Sequence, residues 1–287
     1  MLPPEVVTEP WIKQWLREDI GRGDWAVQGL GARSQQFGSG YWVAKAPGII
    51  CGLPIAQQVF SILDTQVSFN PQVRDGMQVE PGQTIATLTG PLGSLLTGER
   101  VALNLAMRLS GIASATRQYV EAIEAYAAQF VDTRKTTPGL RLLEKYATYI
   151  GGAQNHRMGL DDGVMIKDNH IAAVGGIEIA VQQVRQRIPY PLTIEVETEG
   201  LAQVKTAVDA GADIIMLDNM TTDQMQQAVA LIRSSGKRIK IEASGNVSLD
   251  TIAAVAATGV DYISSSGPIT RSHWLDLSMR VKMHPSP

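Results

Sequence analysis

Two rhythms of apolar and polar positions run along this chain. Between residues 10 and 20, Trp11, Ile12, Trp15 and Leu16 recur on one face behind Pro10, which predicts an amphipathic helix opened by its proline. From about 38 to 90 the runs shorten to strand length: YWVAKA, TQVSF and QTIATL. They are separated by turn signals at Gly40, Pro47–Gly48, Asp75–Gly76 and Pro81–Gly82. A helix over roughly Pro54 to Leu63 interrupts these strands, so the segment reads as an α+β domain. A long helical zone follows, from about Leu92 to Gln129, and Gly111 is expected to bend or break it.

From 129 onward, strand-length apolar runs alternate with helical segments. The predicted strands are 129–132, 163–167, 192–197, 213–218, 240–244 and 260–264. Helices are predicted over 140–150, 177–187, 201–210, 222–234 and 248–257. The strands are apolar throughout rather than alternating, as in a parallel sheet covered by helices. No G-x-G-x-x-G follows the first strand and no P-loop motif occurs, which favours a barrel over an open nucleotide-binding sheet. The runs end in Asp132, Lys167, Glu197, Asp218, Ser244 and Ser264. In an α/β barrel those ends converge on one rim, where unpaired charge is too costly to be incidental.

Composition narrows the class. The chain has 287 residues, 44% hydrophobic and 18% charged, with a formal net charge of −3, a soluble-enzyme balance that gives no support for nucleic-acid binding. A single cysteine, Cys51, excludes an intramolecular disulfide, fits a reducing compartment, and reads as a buried hydrophobe in its apolar run. The N-terminal stretch lacks the basic and apolar regions of a secretory signal, and no run is long enough to span a bilayer, so a cytoplasmic protein is expected.

Against that mild charge, Arg134, Lys135, His156, Arg157 and Lys167 are concentrated between 132 and 170 among Gly, Asn and Thr. Arg forks and Lys point charges set in loops predict a pocket for a small polyanion. Glu197 and Asp218 end consecutive strands and should be neighbours, suited to acid–base work, to stabilising a cationic transition state, or to Mg²⁺ shared with substrate phosphates. The Ser244–Gly245–Asn246 turn and the turn through Ser265, Ser266 and Gly267 have the small residues that let main-chain N–H groups approach a phosphate. His156 is as suited to substrate contact as to structure, His170 reads as an orienting or capping residue, and His273 and His284 stand alone. No H-E-x-x-H spacing points to zinc, and no Ser or Cys nucleophile signature occurs. A Schiff-base lysine at Lys135 or Lys167 is the rival chemistry.

These segments resemble the quinolinate phosphoribosyltransferase family, the carboxylating nicotinate-nucleotide pyrophosphorylases of NAD biosynthesis. The matching stretches are LREDIGRGD (16–24), GERVALNLAMRLSGIAS (98–114), DTRKTTPGLRLLEKYA (132–147) and GGAQNHRMGLDDGVMIKDNH (151–170). IEVE, DIIMLDNM, EASGN and TGVDYISSSGPIT follow in the family's order. The resemblance implies an N-terminal α/β sandwich domain, placed at 1–112, and a C-terminal, incompletely closed α/β (TIM-like) barrel at 113–287, whose tail returns to the first domain. It also implies a homodimer with shared active sites, or a hexamer of such dimers.

By the same resemblance, Arg134, Arg157 and Lys167, with Arg100 of the neighbouring subunit, would bind the quinolinate carboxylates, with Thr136 and His156 beside them. Lys135 and Lys167 would face the diphosphate of phosphoribosyl pyrophosphate. Glu197 and Asp218 would hold the ribose hydroxyls and Mg²⁺, partly through substrate and water. Ser244, Gly245, Asn246 and the 265–267 turn would take the 5′-phosphate. The chain departs from the family at Thr198, at Asn246 and in its SSSGPITRS loop, and none of these removes a charged position. The alternatives are a related phosphoribosyltransferase for another acid, such as the paralogue associated with molybdate-uptake operons, a Schiff-base barrel lyase, and a non-catalytic anion-binding protein.

Overall fold

The computed structural model describes residues 2–283, so His284 lies outside the described residues. The chain forms two compact units. One takes the chain up to Ala115, Leu142–Gly151 and the chain from Ser272; the other takes Thr116–Arg141 and Gly152–Arg271.

The first unit is built on a four-stranded antiparallel sheet in the order Leu277–Met283, Phe37–Ala44, Thr84–Pro91, Ser68–Pro71. Burial alternates along Phe37–Ala44 and turns Trp42 and Ala44 into the core. There the Trp42 ring meets Phe69 edge-on at 5.3 Å, and Phe69 stacks at 5.8 Å on Phe60 of the helix Leu53–Leu63. The helix Glu5–Ile20 buries Ile12 and Leu16 but starts five residues before the predicted proline. Pro4, extended at ψ 152°, stands just before the helix, and Pro10 sits inside it.

Gly111 corrects a second expectation. The helix runs unbroken from Leu92 to Glu121, and no break falls at the glycine. A Cβ on Gly111 would lie 2.0 Å from the His273 carbonyl oxygen and 3.1 Å from Trp274 Cα, so the missing side chain serves a close approach of main chain to helix. The helix also stops at Glu121, short of Gln129, giving way to turns before the next strand.

The second unit carries six parallel strands in the order Gln129–Val131, Tyr262–Ser264, Lys240–Ser244, Ile214–Asp218, Ile194–Thr198, Val164–Ile166. Helices such as Leu201–Ala210 and Thr222–Ser234 connect them, and Ile194, Val196, Ile215, Leu217, Ile241 and Ile263 form a fully buried core. Among the described residues the two edge strands do not pair with each other. Beyond Val131 the sheet gains only an isolated bridge to Gln154, so the barrel is incompletely closed. No described helix is long and apolar enough to cross a membrane.

Candidate active site

A cavity of about 580 Å³ opens at the C-terminal ends of these strands. Each wall follows from where its strand stops. Asp132, just past the first strand, is buried and accepts hydrogen bonds from Asn155 Nδ2 (2.6 Å) and the His156 N–H (2.9 Å). It therefore fixes the Asn-His-Arg loop and stands behind the cavity rather than in it. Arg134, Lys135, His156, Arg157 and Lys167 all line the cavity.

The arginines show what the cavity is built to hold. Arg134 Nε is buried with no hydrogen-bond partner, a costly state for a guanidinium N–H unless an anion completes it. Arg157 donates from Nη1 to the Gly163 carbonyl at 2.8 Å. Burial and the charge of Arg134 lower its pKa, so two guanidiniums share one partly dry place. An anion between them would satisfy the first and relieve the repulsion of the second.

The opposite wall is acidic. Glu197, one residue before the end of its strand, and Asp218, which ends the adjacent strand, both line the cavity. Burial raises the Asp218 pKa, and the Glu197 charge raises it further, while Asn219 Nδ2 donates to Asp218 Oδ2 at 2.9 Å. Lys167 Nζ donates to Glu197 Oε2 at 2.7 Å, one cation against two carboxylates. A divalent cation would relieve the remaining repulsion, so the pair fits Mg²⁺. With Lys167 half exposed and ion-paired, and Lys135 exposed, neither amine has the dry apolar surroundings that activate a Schiff-base lysine.

Ser244, Gly245 and Asn246 line the third wall. Gly245 has φ +93°, and a Cβ there would lie 2.3 Å from Asn219 Oδ1 and 2.8 Å from the Asn219 nitrogen. Asn219 and Asn246 both adopt positive φ, 52° and 50°, and Asn246 Nδ2 donates to Asn219 Oδ1 at 3.1 Å. Asn219 thus ties the Asp218 carboxylate to the serine-glycine turn, a role its sequence position in DNM did not suggest.

Not every expected residue lines the cavity. Ser265, Ser266 and Gly267 do not; Ser265 Oγ instead donates to the Val247 carbonyl (3.1 Å) and accepts the Gly267 N–H (3.2 Å), closing its own turn. The neighbour that does line it is Ser264, buried with an unpartnered Oγ. Thr136 is spent on Arg141, whose Nε it accepts at 3.1 Å. Arg100 lies in the first unit with an exposed guanidinium 4.0 Å from Glu99. His170 caps the helix Asp168–Val174, its Nδ1 accepting the Lys167 N–H at 3.0 Å.

The family model for the quinolinate phosphoribosyl transferase C-terminal domain matches residues 112–280, and that for the N-terminal domain matches 26–110. The chain belongs to the quinolinate phosphoribosyl transferase family. It is 60% identical over 280 residues to the probable nicotinate-nucleotide pyrophosphorylase (carboxylating) of Synechocystis sp., covering 98% of this chain and 94% of that one. The human nicotinate-nucleotide pyrophosphorylase (carboxylating) is 38% identical, again over 98% of this chain and 94% of its own length. Among solved structures, NadC from Streptococcus pyogenes superposes with a TM-score of 0.94 at 40% identity, covering 99% of both chains.

The barrel floor holds what the strand-end reasoning missed. His156 Nε2 lies 3.0 Å from Glu195 Oε2 and 3.4 Å from Glu242 Oε2, and both glutamates are buried. Burial disfavours the imidazolium, but hydrogen bonds to Glu195 and Glu242 outweigh it and push the His156 pKa up to about 10. The Arg157 N–H, 2.7 Å from Nδ1, pulls the other way by asking that atom to accept; two full charges outweigh one main-chain dipole. The three ligand atoms lie within 4.8 Å of one another, close enough for a metal ion. His156 and Arg157 are two cations beside these carboxylates, and the Arg157 charge favours the ionised form of Glu195. A sequence signal for Glu195 did exist: it precedes Glu197 by two residues and so faces the same side of its strand.

Proposed function

We propose that this chain transfers the phosphoribosyl group of phosphoribosyl pyrophosphate to quinolinate and decarboxylates it. The products are nicotinate mononucleotide, pyrophosphate and CO₂, as in de novo NAD biosynthesis. The observation that carries the reading is the unpartnered, buried Arg134 Nε beside Arg157, facing a carboxylate pair across one cavity. Family membership names the anion that fits it.

The roles follow from charge. Arg134 and Arg157, with Lys167, hold the two quinolinate carboxylates and orient the ring nitrogen, with His156 alongside. Displacing pyrophosphate builds positive charge at ribose C1, which Glu197 and Asp218 stabilise while accepting the ribose hydroxyls. Lys135 and Lys167 offset the charge of the leaving diphosphate. Glu197 and Asp218 would hold Mg²⁺, which would supply further neutralisation there. Ser244, Gly245 and Asn246 take the 5′-phosphate, with Ser264 the supporting hydroxyl. Once N-ribosylated, the cationic ring accepts the electrons of the adjacent C–C bond and CO₂ departs. The enzyme works in the cytoplasm as a homodimer, a first domain at 1–112 and a barrel at 113–287, with Arg100 reaching the neighbour's site.

Incubation with quinolinate, phosphoribosyl pyrophosphate and Mg²⁺ followed by chromatography tests this. Folded protein that forms no nicotinate mononucleotide refutes the reading. Mixing Arg100→Ala with Arg134→Ala subunits should restore activity if sites are shared; no rescue after confirmed subunit exchange refutes the sharing.

A further inference from the structure

Left-handed backbone is unfavourable for a residue with a side chain, and among the described residues only two non-glycine positions adopt it. They are Asn219, at φ 52°, and Asn246, at φ 50°. Both line the active cavity, and they are bonded to each other. Asn219 follows the strand Ile214–Asp218, while Asn246 lies in the turn that leaves the adjacent strand Lys240–Ser244. Strain kept at two bonded positions in one cavity points to a task there.

The hydrogen bonds show what the pair connects. Asn219 Nδ2 donates to Asp218 Oδ2 at 2.9 Å, and its Oδ1 accepts from Asn246 Nδ2 at 3.1 Å. A carboxylate only accepts, so the amide must turn its nitrogen to Asp218 and its oxygen to Asn246. The main-chain N–H of Asn219 donates to the Ser244 carbonyl at 3.0 Å, and Gly245, lacking a Cβ, leaves room for the Asn219 side chain. Lys167 is committed to Glu197 at 2.7 Å, so among the described residues Asn219 is the one side chain hydrogen-bonded to Asp218. Asn246 is also one of the positions at which this chain departs from its family.

The reaction gives this connection a use. The 5′-phosphate is not a reacting group, whereas positive charge develops at C1, where Asp218 acts. Binding energy from a remote group raises the rate only if it acts at the reacting centre. We propose that Asn219 and Asn246 are positioning residues, an amide relay through which phosphate held at the serine-glycine turn fixes the Asp218 carboxylate opposite C1. This rests on the phosphoribosyl transfer reading above. Without the relay the phosphate still binds at the turn, but Asp218 is no longer tied to it.

Glycine accepts left-handed backbone at both positions and removes only the side chain. Single-turnover rapid quench with quinolinate, phosphoribosyl pyrophosphate and Mg²⁺ reads the chemical step, and calorimetric titration with phosphoribosyl pyrophosphate reads binding. Asn219→Gly should slow the single-turnover rate about tenfold, the scale of a lost hydrogen bond to a charged group, and Asn246→Gly about threefold, the scale of a neutral one. Affinity for phosphoribosyl pyrophosphate should stay within about threefold in both, because the main-chain N–H groups of the turn remain. The double variant should be no slower than Asn219→Gly, since one break already severs the relay. Should Asn219→Gly fail to fold, Asn219→Asp keeps the size and the oxygen that Asn246 bonds, and replaces the donor to Asp218 with a second carboxylate oxygen. Its rate should fall about tenfold or more. Unchanged rates, weakened binding at an unchanged rate, or effects that multiply in the double variant overturn the proposal alone. A wild-type enzyme that makes no nicotinate mononucleotide overturns the parent reading and this one with it.

Discussion

Replacing Gly245 by alanine adds one methyl group where the structure has no room for it. At φ +93° an alanine pays roughly 1–2 kcal/mol for left-handed backbone. The new Cβ would also lie 2.3 Å from Asn219 Oδ1, 2.5 Å from its Cγ and 2.8 Å from its main-chain nitrogen. The side chain could swing away only by giving up its 2.9 Å bond to Asp218 and its 3.1 Å bond from Asn246, and the nitrogen cannot swing at all. Overpacking of this kind costs about 1–3 kcal/mol, so the total is about 2–5 kcal/mol. Gly236→Ala separates the two contributions, because Gly236 has φ +70° with nothing within 4 Å of its would-be Cβ, leaving strain alone. Urea denaturation should therefore show Gly245→Ala less stable than Gly236→Ala by about 1–3 kcal/mol. Calorimetric titration should show phosphoribosyl pyrophosphate binding weakened about tenfold or more, as the loop absorbs part of the strain by moving. Equal stability of the two variants, with unchanged ligand affinity, would refute the reasoning.

Three further outcomes are expected. Gly111→Ala should lower stability by about 1–3 kcal/mol despite alanine's better helix propensity, because a carbonyl 2.0 Å from the new Cβ cannot yield; a raised melting temperature would contradict this. Arg134→Ala and Arg157→Ala should each weaken quinolinate binding far more than phosphoribosyl pyrophosphate binding, with equal losses counting against the assignment. For His156, the folded pKa of about 10 stands above the ordinary 6.5. The stability it contributes is fully present below about pH 6.5 and is lost as pH rises through about 10. The gap in unfolding free energy between wild type and His156→Asn should accordingly shrink with rising pH over that interval, and a widening gap would exclude a stabilised imidazolium.

Strand and helix positions in the barrel were legible because long apolar runs have few other fates, and the terminal side chains Lys167, Glu197, Asp218 and Ser244 all reached the cavity. The sequence was less clear where one residue type serves two ends. Gly111 carries the same letter whether a helix breaks there or another segment crosses against it, and only the position of His273 decides. Ser264, Ser265 and Ser266 are identical in composition, yet the strand's pleat turns one into the cavity and leaves the next to close a turn. Glu242 was hidden inside an apolar run, where a charge reads as an interruption until its partner His156 is known. The final strand showed a period-two alternation of Leu277, Met279 and Val281 with Ser278, Arg280 and Lys282, a signal too short to weigh without the edge it pairs with.

That last strand sets the order in which the molecule can be made. Leu277–Met283 lies antiparallel along Phe37–Ala44, in register from Ala44↔Leu277 to Gly38↔Met283, nearly the whole chain apart. On the ribosome the early strand therefore waits with one edge unfilled until the end of the chain emerges, while the parallel strands between Gln129 and Ser264 have all been synthesised. The N-terminal sheet should be the last to become protease-resistant, and truncation before Leu277 should expose that edge to aggregation.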